Sequence, residues 1–421
     1  MPLSTASAPA SPPAPSPATT SASHLPPVPR CDLFCTVVDN FGDIGVCWRL
    51  ARQLVREHGW SVRLWVDDLA SFRYLRPDIE PTQARQRCDG VDVRHWDADF
   101  GPITHDNAPG DIVIEGFACH LPDTYIQAMH ERQGAGNAPT WVNLEYLSAE
   151  NWVEDVHLQK SIHPQLGLLK TFFLPGFTHR TGGLIREREL FSRRDAFLAS
   201  SELRDAWWKR TLGLAAAPQD VLIVSLFAYE NVALPALLAQ WAASDTPVVC
   251  LVPQGRIAPA VGEWLGRETL APRESGTRGA LTAYGLPFVP QHEFDNLLWA
   301  CDLNFVRGED SFVRAQWAAK PFVWHIYAQE DNAHHEKLDA FLDLYLDDLP
   351  AGSPALGHTA REALRTFWHL WNGYASTPPD WAALALALPK LKPHAQAWAS
   401  AQATLPDLAR QLASFAENQV K

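Results

Sequence analysis

Leu33-Phe34-Cys35-Thr36-Val37-Val38-Asp39-Asn40-Phe41-Gly42-Asp43-Ile44-Gly45-Val46-Cys47-Trp48-Arg49-Leu50 is the stretch on which the fold turns. Its first six residues form an apolar run, β-branched toward its end, which is the pattern of a buried strand. Over residues 46–58, Cys47, Leu50, Ala51, Leu54 and Val55 share one helical face, and Gly59 is placed to end that helix. Ser61-Val62-Arg63-Leu64-Trp65-Val66 then reads as a second strand. Strand, helix and strand in that order predict a βαβ unit and with it a parallel sheet.

Working outward, residues 111–116 and 140–145 read as further strands of that sheet. Each ends in a polar residue or glycine, where ligand-binding loops of α/β sheets sit. The Gly- and Pro-rich residues 175–184 suit a hinge between lobes, with an ordinary surface turn as the other reading. The second half repeats the rhythm, with strand-like runs at 221–227, 247–252, 303–306 and 321–326. Helical stretches follow at 292–300 and 311–319, and an amphipathic tail at 394–416.

The expectation is an α/β chain of two doubly wound, Rossmann-like domains facing each other across a cleft, the GT-B glycosyltransferase architecture. Residues 30–185 form the first, acceptor-binding domain and 186–393 the nucleotide-sugar domain, with a C-terminal helix over 394–421 packing back on the first. Residues 1–29, rich in Pro, Ala, Ser and Thr, read as a disordered leader or as a start codon assigned too early. Architecture alone does not separate a transferase from other proteins built this way.

Composition narrows the function classes. The 421 residues are too many for one ordinary core, and 47% hydrophobic with 20% charged residues fits a soluble globular protein. A net charge of −13 argues against a protein that tracks nucleic acid, which needs clustered Lys and Arg. No apolar run reaches the roughly 20 residues of a membrane span. Seven Cys, an odd number without a CxxC pair, point to buried thiols in a reducing, cytoplasmic setting. The 17 Trp read chiefly as packing residues.

The first loop has glycines at a strand-to-helix turn, yet it lacks the GxGxxG spacing and carries two carboxylates. Asp39 and Asp43 repel a pyrophosphate and attract a guanidinium, or accept a proton from a nucleophile. Capping and turn roles are the bland alternative. Their i, i+4 spacing differs from the Asp-x-Asp pair that holds Mg²⁺ in metal-dependent transferases, so no metal is assigned. The second constellation, Phe305-Val306-Arg307-Gly308-Glu309-Asp310-Ser311, runs from a strand end into a helix. Asp310 or Ser311 can cap that helix, whose free amides favour an anion. Arg307 adds bidentate positive charge, while Glu309 faces sugar hydroxyls or organises its neighbours; a purely structural Arg–Glu pair is the alternative. Upstream, Gln291 and Phe294, with Phe227 and Tyr229 at an earlier strand end, suit a pyrimidine nucleotide that stacks and hydrogen-bonds. His325, His334 and His335 lack zinc-site spacing and read as supporting or surface residues.

Val38 to Leu50, Phe305 to Phe312, Glu145-Tyr146-Leu147-Ser148-Ala149-Glu150 and Leu174-Pro175-Gly176-Phe177-Thr178 together resemble one family. It is the protein-arginine rhamnosyltransferase that modifies bacterial elongation factor P, and the resemblance runs from about Cys31 to the C-terminus. It implies dTDP-β-L-rhamnose as the donor substrate, no cofactor, and an inverted α-linked rhamnose on an arginine in the N-terminal domain of elongation factor P. It places functional carboxylates at Asp39, Asp43 and Glu309, and dTDP contacts at Phe227, Tyr229, Gln291, Phe294, Arg307, Asp310 and Ser311; Phe41, Gly42 and Gly308 join them as candidate donor contacts. In the mechanism this suggests, Asp43 takes the proton as the N–C bond forms and Asp39 orients the acceptor. Two readings stand beside it: a GT-B transferase acting on a lipid or glycan hydroxyl, and a sugar-nucleotide-binding regulator without catalysis. An oxidoreductase fits least, since no dinucleotide fingerprint follows any strand.

Overall fold

The computed structural model describes residues 28–38, 41–97, 99–347, 349, 353 and 355–419. Asp39, Asn40 and nearly all of the 1–29 leader lie outside the described residues.

Among the described residues the strands build two sheets. The first holds β1 (Arg30–Cys35), β2 (Ser61–Val66), β3 (Arg85–Cys88), β4 (Val91–His95), β5 (Ile112–Gly116), β6 (Thr140–Leu144), β7 (Lys160–Ile162) and β8 (Leu169–Phe173). Their order is β3-β4-β2-β1-β5-β6-β8-β7, with β3 and β7 antiparallel at the two edges and the rest parallel. The parallel part therefore has the 3-2-1-4-5-6 order of a dinucleotide-type fold, and its switch point lies between β1 and β5. Both faces are covered: Leu33 and Cys35 pack into one apolar cluster, while Phe34 between them packs into another with Trp65, Val113 and Tyr125. This two-sided burial is why β1 reads as a continuous apolar run instead of an alternating one.

The second sheet holds β9 (Leu222–Leu226), β10 (Val248–Pro253), β11 (Ser275–Arg278), β12 (Leu281–Leu286), β13 (Leu303–Arg307) and β14 (Phe322–His325), in the order β11-β12-β10-β9-β13-β14. Only β11 is antiparallel, so the switch point falls between β9 and β13. The two lobes form the GT-B fold. Tryptophan supplies much of the filling: Trp48, Trp207, Trp208, Trp241, Trp317, Trp368 and Trp371 are fully buried. All seven cysteines are free thiols, six of them buried. Among the described residues no helix is long and apolar enough to cross a membrane.

The tail departs from the single helix expected over 394–416. One helix, Trp381–Gln402, begins well before that span and carries Pro389 and Pro393 inside it. A second, Leu408–Gln419, follows a break that contains Pro406. The first packs on the second lobe, against His358–Trp371 and Leu234–Ala242, and the second packs on Gly42–His58 of the first lobe. Leu408 N donates to Leu184 O at 3.0 Å, and Gln411 Nε2 donates to Thr181 O at 2.8 Å. Gly183, at φ +75°, sits so close to the Pro406 carbonyl that a Cβ there has no room.

A buried ionic seam joins the lobes. Arg49, on Gly42–His58, donates to Asp310 at 2.6 Å and to Glu187 at 3.1 Å. Glu187 also accepts from Arg314 at 2.6 Å, and Arg314 grips Asp295 with two bonds of 2.7 Å. Against the cost of burial, Arg314 and Arg49 hold the Glu187 carboxyl well below the usual range.

Candidate active site

The site is built at the two switch points, which face each other. On the first lobe the helix after β1 starts at Gly42, a turn before the expected residue 46. Asp43 therefore lies in its first turn, where negative charge meets unpaired amides. It is 2% exposed. One carboxylate oxygen accepts from Val38 N at 2.8 Å and the other from the Tyr146 hydroxyl at 3.0 Å.

On the second lobe, Phe227 and Tyr229 follow β9 and Arg307 ends β13. The Arg307 guanidinium lies 4.6 Å from the Phe227 ring centre and 4.7 Å from that of Tyr229, a cation between two aromatic faces. The expected cap is not made. The helix Asp310–Trp317 has Glu309 at its N-cap, whose side chain makes no capping hydrogen bond. Ser311 Oγ turns back instead, accepting from Arg307 N at 3.0 Å and donating to Arg307 O. Asp310 is drawn across the lobe boundary by Arg49, and accepts from Gln291 Nε2 at 3.0 Å. Gln291 Nε2 also donates to Gly45 O at 2.7 Å. Any side chain at Gly45 would crowd Asp310 and Gln291 at 3.3 Å, so glycine there permits the lobes to meet. Gln291 Oε1 is buried without a hydrogen-bond partner, an acceptor that a ligand N–H or O–H can satisfy.

Two adjoining chambers result. A pocket of about 660 Å³ is lined by every donor contact chosen from the sequence: Phe41, Gly42, Phe227, Tyr229, Gln291, Phe294, Arg307, Gly308, Asp310 and Ser311. A second, of about 800 Å³, is lined by Asp43 from one lobe and Glu309 from the other. Gly42 and Gly308 line both, so the chambers adjoin. Gly308 takes φ +59°, the left-handed turn that swings the chain from β13 into the helix.

Glu309 Oε2 accepts from Leu147 N at 2.9 Å. Burial pushes its carboxyl up to about 7, against the opposing attraction of Lys337 and that hydrogen bond. Lys337 lines the same chamber, and burial lowers its ammonium, opposed by Glu309 and Glu150. His325 sits between the rings of Tyr229 and Trp371, at 5.3 and 5.7 Å, and burial brings it down to about 3, so it is neutral. His334 lines the second chamber and accepts from Gln329 N at 3.1 Å.

Tyr146, Lys337, Phe117 and Arg49 were given no role by the sequence reading. The only signal for Tyr146 and Arg49 was their place inside distinctive motifs. Phe117 has none, because it is aimed by backbone geometry: Phe117, Ala118 and His120 all take φ between 52° and 56°. Non-glycine residues in that region are strained and cluster where a loop is shaped for a purpose.

The family model described as elongation-factor P (EF-P) rhamnosyltransferase EarP matches residues 31–417. A protein-arginine rhamnosyltransferase of Pseudomonas putida is 51% identical over 92% of this chain and 98% of its own length. One from Pseudomonas aeruginosa is 48% identical over 91% and 98%. A solved structure described as the basis for EarP-mediated arginine glycosylation of translation elongation factor EF-P is 38% identical. It superimposes with a TM-score of 0.63, covering 93% of this chain and 99% of that one.

Proposed function

The chain belongs to the EarP family of protein-arginine rhamnosyltransferases, and on that premise we propose that it transfers L-rhamnose from dTDP-β-L-rhamnose to an arginine of elongation factor P, with inversion. The observation that carries this reading is the pair of adjoining chambers: one with aromatic faces and Arg307, the other with carboxylates contributed by different lobes. In this reading dTDP fills the first chamber and its sugar passes Gly308 into the second. Arg307 and the amides that start the helix Asp310–Trp317 hold the leaving phosphate, a task the reading gives to no metal.

The acceptor guanidinium enters against Asp43. It is cationic at any working pH and its lone pairs are delocalised. Asp43 therefore accepts its proton as the N–C bond forms, and the C–O bond to dTDP breaks on the opposite face. Asp39, two residues before Phe41 in sequence, is assigned to orient the acceptor.

Incubation with dTDP-rhamnose and purified elongation factor P, read by intact mass, tests the reading: it expects a gain of one deoxyhexose on the acceptor. Binding of the donor without product points to a regulator, and transfer only to a lipid or glycan points to a different acceptor.

Two variants probe the donor side. Arg307→Ala should weaken dTDP binding by about 10- to 100-fold, the worth of a charge-assisted hydrogen bond, and unchanged calorimetry would count against a phosphate role. Glu309→Gln should lower turnover by about the same factor if the carboxylate holds a sugar hydroxyl. The wild-type rate should also fall as pH drops through about 7, where Glu309 takes up a proton. Lys337→Met removes an attractive cation, so the midpoint of that fall should move to higher pH. A profile flat from pH 6 to 8 in both proteins overturns the role of Glu309.

A further inference from the structure

Two carboxylates from different lobes face one chamber, and one dipeptide touches both. Tyr146, just after β6, donates its hydroxyl to Asp43 at 3.0 Å, and the next residue, Leu147, donates its amide to Glu309 at 2.9 Å. Asp43 lies 103 positions from Tyr146 and Glu309 lies 162 from Leu147, so neither contact is a by-product of local chain geometry.

We propose that Tyr146 is the positioning residue of the transfer step: it fixes the carboxylate plane of Asp43 and, through its neighbour Leu147, sets the spacing between Asp43 and Glu309. The proposal rests on the rhamnosyltransferase reading and deepens it.

Three features support a rigid device in place of a chance contact. With one oxygen of Asp43 on Val38 N and the other on Tyr146, the carboxylate is held against rotation about its Cβ–Cγ bond. A proton acceptor must be held in a near-attack position, since small displacements cost large factors in rate. The Tyr146 ring is itself clamped: it stacks on Phe117 at 4.4 Å with 14° between planes, and the Lys337 ammonium lies 5.6 Å from its centre. Phe117 is in turn presented by the strained loop after β5, whose amides bond to Leu144 O and to the side chains of Asn143 and Glu115. Burial and the Asp43 charge raise the Tyr146 hydroxyl well above its ordinary range, so it remains a donor.

Tyr146→Phe removes the hydroxyl and keeps the stack on Phe117. Turnover should fall about 10- to 100-fold, the worth of a hydrogen bond to a charged group, while donor affinity and melting temperature stay near wild type. A purely structural role predicts the reverse, lower stability with kcat intact, and that result overturns the proposal. The second arm adds Tyr146→Phe to Asp43→Asn under single-turnover conditions. If Tyr146 acts through Asp43, the residual rate changes less than about twofold; a further fall as large as in wild type overturns the proposal. Failure of the wild-type protein to modify elongation factor P overturns the functional reading and this inference together. Wild-type transfer with an unaffected Tyr146→Phe overturns the inference alone.

Discussion

Asp43→Asn is expected to lower rhamnose transfer by about a thousandfold, within the 10²- to 10⁴-fold range of a lost general base, and to leave donor affinity unchanged. The substitution preserves volume and keeps an oxygen that can face Tyr146. It removes the capacity to take a proton. An arginine cannot be deprotonated in advance near neutral pH, so the variant has no easy substitute for a proton acceptor at that position. Isothermal calorimetry with dTDP, beside an intact-mass assay with elongation factor P, separates the two effects. Loss of donor affinity with the rate per bound complex intact would move Asp43 to the donor side.

The second large effect is on stability. Arg314→Met is expected to cost about 3–5 kcal/mol, the price of breaking a buried ion pair from one side. Asp295 is 1% exposed and receives both of its charged bonds from Arg314, and Glu187 shares that same guanidinium with Arg49. Methionine fills much of the space but strips Asp295 of both its charged bonds and leaves Arg49 to serve Glu187 and Asp310 together. Urea unfolding followed by fluorescence should show an early transition. Adding Asp295→Asn should recover part of the loss, because it removes the stranded charge. A single-variant cost under 1 kcal/mol would mean that the seam relaxes or admits water.

The first βαβ unit was legible because β1 is covered on both faces and its helix carries a clean apolar stripe. The strands that the sequence does not announce are those without such a run. β4 reads Val-Asp-Val-Arg-His, and β12 breaks its pattern with Thr and Gly. The helix reads as starting late because Gly42 and Gly45 look like loop residues, although Gly45 is there to let Asp310 and Gln291 approach. Most residues lining the first chamber were readable because they sit at strand ends or helix starts, in or near recognisable motifs. Tyr146, Lys337 and Arg49 were not, since each derives its meaning from a partner distant in sequence. Arg49 and Asp310 are 261 positions apart, and nothing local in either segment marks the bond.

The helix Leu408–Gln419 has a consequence for how the molecule is made. The chain leaves the first lobe near residue 185, builds the second, and returns to cover Gly42–His58. A ribosome thus completes the sheet of the first lobe hundreds of residues before the helix that covers this flank. During that interval the outer side of Gly42–His58 is bare, and the lobe synthesised first is the one finished last. The return also means that two crossings, not one, connect the lobes, tied together where Leu408 bonds to Leu184. A single crossing is a swivel; two side by side resist twisting of one lobe against the other.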